Sequence, residues 1–136
     1  MNMNRVTLIT LAVTDLARAR AYYEGLGWQP EEALEQVAFY TMDGMKFGLF
    51  TLEGLKRETG RDDLATGATT LAQNFSTEAE VDDMFARAIA AGAKPLAPPS
   101  KMEWGGYSSY VEDPDGHIWE FAMNPFWTVD PQGRLA

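Results

Sequence analysis

The stretch YVEDPDGHIWEF, residues 110–121, sets the chain's single histidine, His117, among the carboxylates Asp113, Asp115 and Glu120. An imidazole beside carboxylates can hold a metal ion, can move protons as an acid–base pair, or can belong to a polar turn between two strands. Asp113-Pro114-Asp115-Gly116 has the chemistry of a turn, because proline fixes one φ, glycine accepts a positive φ and aspartates bond their own backbone. His117 opens the strand that follows and alternates with Trp119 and Phe121 on the face expected to pack on a helix, so it is expected to be structural. Ile118, Glu120 and Ala122 alternate onto the other face. A carboxylate at position 120, flanked by two aromatics in an apolar strand, needs a partner or a use. Two readings of Glu120 stand side by side: an acid satisfied by a hydroxyl or backbone donor, or a general base or acceptor for a ligand N–H or O–H group.

Composition narrows the chemistry. A net charge of −9 with scattered Lys and Arg argues against a nucleic-acid partner. The absence of cysteine removes thiolate metal sites and thiol nucleophiles, and one histidine cannot supply the several imidazoles that many catalytic metal sites use. At 136 residues and 46% hydrophobic, the chain is expected to fold as one domain with its own core. No apolar run is long enough to span a bilayer, and the start, MNMNRVTLITLAV, lacks the pattern of a signal peptide. No membrane partner is expected, and cytoplasmic residence is.

The elements that must position these residues follow from hydrophobic period. Residues 5–13 run as a buried strand. A helix follows, with Thr14 as its N-cap, Leu16, Ala19, Tyr23 and Leu26 on one side, and Gly25 and Gly27 at its end. A short strand is expected near 28–33, then strands at 37–42 and 46–52 joined by Asp43-Gly44. The order then repeats. TTLAQNF is strand-like, and the helix after it carries a capping box, Thr77 with Glu80, and closes at Gly92. Strands at 94–97, 106–112 and 117–123 complete the second set, the last two joined around Asp115-Gly116. Each half is a βαβββ unit, residues 5–52 and 68–123. The charged, glycine-bearing segment 53–67 reads as a linker, and 124–136 as a tail. The predicted fold class is α+β: two βαβββ modules in one domain, related by a pseudo-twofold axis and forming a cleft-bearing curled mixed sheet.

LITLAVTDLARARAYYEGLGW, VDDMFARAIAAGA and WGGYSSYVEDPDGHIWEFAMNP together resemble the vicinal oxygen chelate superfamily of glyoxalases, bleomycin-resistance proteins and extradiol dioxygenases, over almost the whole chain. The resemblance implies a homodimer and a cleft into which the first and last strands of each module project metal ligands. In metal-binding members the first strands supply His, Gln or a similar donor; here those positions fall on Leu8 and Thr70. The last strands supply a carboxylate or another donor; here those positions fall on Gly48 and Glu120. A register error of three would put Gln73 in place of Thr70. With Glu120 alone surviving, no bound metal and no cofactor are expected, since an open catalytic site needs about three protein donors. Glyoxalase chemistry depends on such an ion.

Other candidates are weighed on the same footing. Tyr22, Tyr23, Phe39, Tyr40, Phe47 and Phe85 lie at core spacing. Trp104, Tyr107 and Tyr110 flank EWGGYSSY, which the resemblance puts at one wall of the cleft, although Trp104 could instead close the end of the sheet. Gln73 and Asn74 interrupt a buried strand, so at least one should bond a ligand or a backbone edge. The expected ligand-binding set is Glu120, Trp104, Tyr107, Gln73 and Asn74. The function this favours is a metal-free small-molecule binding protein with an aromatic-lined cleft. The alternative is a metal-dependent lyase, isomerase or dioxygenase of the glyoxalase type, and a third reading is a member without a pocket that acts through its dimer surface. Phe126, Trp127 and Val129 in the tail support self-association.

Overall fold

In a computed structural model, residues 3–135 are described, and the chain divides between Thr66 and Gly67 into two compact units. The first unit contains β1 (Leu8–Val13), α1 (Leu16–Gly25), β2 (Pro30–Ala33), β3 (Val37–Met42), β4 (Met45–Thr51) and α2 (Leu52–Thr59). Its sheet has the order β1-β4-β3-β2, with β1 parallel to β4 and the other pairs antiparallel. The second unit contains β5 (Thr70–Asn74), α3 (Glu78–Ala91), β6 (Lys94–Lys101), β7 (Tyr107–Glu112) and β8 (Ile118–Met123), with the matching order β5-β8-β7-β6. The two expected βαβββ modules are present, and their registers coincide. Thr10 pairs with Gly48 and Gly48 with Phe39 in the first; Ala72 pairs with Glu120 and Glu120 with Tyr110 in the second.

Each sheet is covered on one face by its long helix. In the first unit, Ala19, Tyr22 and Tyr23 of α1 are buried with Leu11, Val13, Tyr40, Phe47 and Leu49. The rings of Tyr23 and Trp28 lie 4.9 Å apart, and Trp28 meets Phe47 edge-on at 5.1 Å. Tyr40, buried in this cluster, donates its hydroxyl proton to Glu24, which also pairs with Arg20 at 2.9 Å. Burial, and then the Glu24 carboxylate, push the Tyr40 hydroxyl far above the usual tyrosine range. In the second unit, Val81 and Ala88 of α3 are buried, as are Val111, Trp119 and Phe121 of the sheet.

Several expectations need correction. β1 starts at Leu8, and residues 3–7 before it are exposed, the apolar Met3 and Val6 included. Asp15, not Thr14, caps α1 by accepting the Arg18 N–H at 3.1 Å, and Thr14 is instead bonded by the Arg18 side chain. The supposed linker holds α2, capped by Thr51 and closed by Gly60 at φ 76°. β6 runs on to Lys101 through three prolines, which an edge strand tolerates at the irregular pairings seen here. The capping box at Thr77 and the end at Gly92, φ 116°, stand as expected. Phe39 is half-buried on the open face of its sheet instead of in the core, and Phe85 is also half-buried.

Candidate ligand-binding site

The acid cluster around His117 is a turn. One carboxylate oxygen of Asp113 accepts the backbone N–H groups of Asp115 and His117, both at 2.9 Å, and Gly116, at φ 83°, donates to the Asp113 carbonyl. His117 is 3% exposed, and its Nδ1 accepts the Gly67 N–H at 3.2 Å. Its place is to tie the first residue of the second unit to the end of the hairpin.

Glu120 lies in the middle of β8, half-buried on the face opposite α3. Its partners across the sheet are Ala72 and Tyr110. Tyr110 donates its hydroxyl proton to one carboxylate oxygen at 3.1 Å. Burial first, and then this acceptor, raise the tyrosine above its ordinary value, so the hydroxyl stays a donor at neutral pH. A carboxylate held by one phenol and not closed off from solvent can accept a further hydrogen bond. Ser108, on the same face, is buried at 2% exposure.

The other expected residues do not all join it. Asn74 lies two residues beyond Ala72 on the same strand and, by alternation, shares its face. Gln73 alternates to the opposite face, across from Phe121. Both residues line a groove at the edge of β5. Tyr107 is on the helix side: its hydroxyl donates to Asp82 of α3 at 2.7 Å, and this acceptor raises its ionisation above the ordinary range. Trp104, 47% exposed in the loop before β7, lays its ring over Gly106, where any Cβ would strike it. Tyr110 is therefore the aromatic that reaches Glu120. Its parity with Tyr107 in YSSY marked only one of the two as able to do so.

The donor set does not fit a divalent ion. On the open face of the second unit the strand positions around Glu120 are Thr70, Ala72, Asn74, Ser108 and Tyr110, which offer hydroxyl and amide oxygens but no imidazole. In the first unit the equivalent positions are Leu8, Thr10, Gly48 and Phe39. A Cβ at Gly48 would stand 3.2 Å from Thr10 Oγ1 and 3.3 Å from the Phe39 ring, so a side chain there would need those neighbours to give by a few tenths of an ångström. Among the described residues, no group of three or more His, Cys, Asp or Glu is placed to hold a metal.

The repeated βαβββ unit with this register defines a class, and residues 5–121 match it: the chain belongs to the Glyoxalase/Bleomycin resistance protein/Dioxygenase superfamily. It is similar to a glyoxalase-related enzyme of known structure from Fulvimarina pelagi, with 35% identity, a TM-score of 0.91 and 98% of each chain covered. The metallothiol transferase FosB of Shouchella clausii (strain KSM-K16) is 27% identical over 120 residues, which are 87% of this chain and 79% of that protein. A lactoylglutathione lyase structure from Agrobacterium tumefaciens shares the fold at 23% identity, a TM-score of 0.72 and coverage of 89% and 94%. Among the described residues, no helix is long and apolar enough to cross a membrane.

Proposed function

We propose that the chain is a small-molecule binding protein of this superfamily that works without a bound metal, with Glu120 as the polar anchor of its site. One observation carries the reading: Glu120, on the open face of its sheet, is oriented by the Tyr110 hydroxyl at 3.1 Å and keeps acceptor capacity for a ligand. The positions where metal-binding relatives would place further donors hold Leu8, Gly48 and Thr70, two of which offer no donor side chain. The second reading, a metal-dependent lyase, isomerase or dioxygenase, draws on the names of relatives such as metallothiol transferase and lactoylglutathione lyase. It would need a cluster of imidazole and carboxylate donors, and no group of three or more His, Cys, Asp or Glu among the described residues supports it.

The same proposal takes the protein to be a cytoplasmic homodimer, with Phe126 and Trp127, 75% and 55% exposed, covered by the second copy. A fragment library screened by amide chemical-shift mapping tests the binding site. Binders should perturb Glu120 and Tyr110 equally with and without a chelator. Binding that appears only after a divalent metal is added would contradict the reading.

A further inference from the structure

A groove of about 570 Å³ runs along the edge of β5, one of the two edge strands of its sheet. Its far wall is a structured hairpin at the C-terminus: Val129 bridges to Leu135, and one Asp130 carboxylate oxygen accepts the N–H groups of Gln132 and Arg134, both at 2.9 Å. The near wall carries Gln73 and Asn74. Because they alternate on the strand, one amide approaches the groove from each side of β5. Neither side chain has a hydrogen-bond partner among the described residues. Glu80 and Asp130 bring carboxylates to the lining, Val129 and Leu135 bring apolar surface, and no Lys or Arg lines it. The volume falls within the range of roughly 300–1,000 Å³ usual for small-molecule sites.

We propose that this groove is a binding site for a small organic cation with an apolar stem. An ammonium or guanidinium group sits between Glu80 and Asp130, the stem lies on Val129 and Leu135, and the two amides bond the polar atoms of the ligand. The net charge of −9 draws such a ligand in from a distance. This site is separate from the Glu120 anchor, so it extends the reading of the chain as a small-molecule binder and fails independently of it.

The test titrates the full-length, isotope-labelled protein with three probes that share one stem: 4-phenylbutylamine, 4-phenylbutanol and 4-phenylbutyrate. The amine should shift the amide signals of Gln73, Asn74, Glu80 and the 129–133 segment, and should bind roughly threefold to tenfold more tightly than the alcohol. The carboxylate should bind most weakly. Glu80→Gln keeps the capping partner for Thr77, since glutamine serves in a capping box, yet should remove most of the preference for the amine. Equal binding of the amine and the alcohol overturns the proposal, and so does an absence of shifts with all three probes. Shifts centred on Glu120 and Tyr110 instead of the groove also overturn it, while leaving the Glu120 site standing.

Discussion

Glu120 and Tyr110 form a pair whose two members can be separated by substitution. Glu120→Gln keeps the shape and one acceptor, so the fold should persist while binding of a ligand to that face weakens by about 1–3 kcal/mol through loss of a charge-assisted bond. A thermal midpoint unchanged beside unchanged affinity would remove Glu120 from the site. Tyr110 gives a pH signature. Its ionisation is raised in the folded state, so the stability it contributes is complete below the unfolded tyrosine pKa of about 10 and is lost as pH rises through the higher folded value. Tyr110→Phe should therefore flatten part of the alkaline loss of stability seen in urea titrations between about pH 9 and 11. At this scale the sequence was informative where period alone decides. Alternation through IWEF put Glu120 opposite the helix face, and the Asp-Pro-Asp-Gly chemistry marked a turn. Tyr107 was misplaced because its face depends on the register across a five-residue loop, 113–117, which strand period does not determine.

Helix α2 shows how an element can be missed. Its signals are present in the chain, with Thr51 to cap it, Glu53 early, Lys56 and Arg57 late, and Gly60 to end it. Gly54 in its interior argues against a helix. The structure supplies the reason: a Cβ at position 54 would collide with the Phe50 ring and come within 2.8 Å of Gln36 Oε1 and 2.9 Å of Thr51 Oγ1. Gly54→Ala should gain up to about 1 kcal/mol of helix propensity but lose about 1–3 kcal/mol to overpacking. The net outcome expected is a lower urea midpoint, and a higher one would show that α2 stands off the sheet. α3 was legible because its cap, stop and apolar spacing agree. Thr77→Ala removes the bond to the Glu80 N–H at 3.2 Å and should cost about 1 kcal/mol by the same measurement.

The repetition of one order of elements, with one register, carried the architecture into view from sequence: the two Asp-Gly turns align Gly48 with Glu120, and each pairs with its own first and third strands in the same way. The groove at β5 was not legible. Its second wall comes from residues 129–135, whose hairpin depends on the Asp130 carboxylate and has no hydrophobic period to announce it. The exposed Phe126 and Trp127 lead to the proposed homodimer, for which sedimentation at micromolar concentration should give a species of twice the 15.1 kDa chain mass. A monomer at that concentration would count against it.

The most direct measurement is elemental analysis of the untagged protein, purified without chelator and dialysed against a mixture of zinc, nickel, manganese and iron salts. On the proposed metal-free reading, metal should stay far below stoichiometric, with no change in Glu120→Gln. A near-stoichiometric ion that is lost in Glu120→Gln would contradict it.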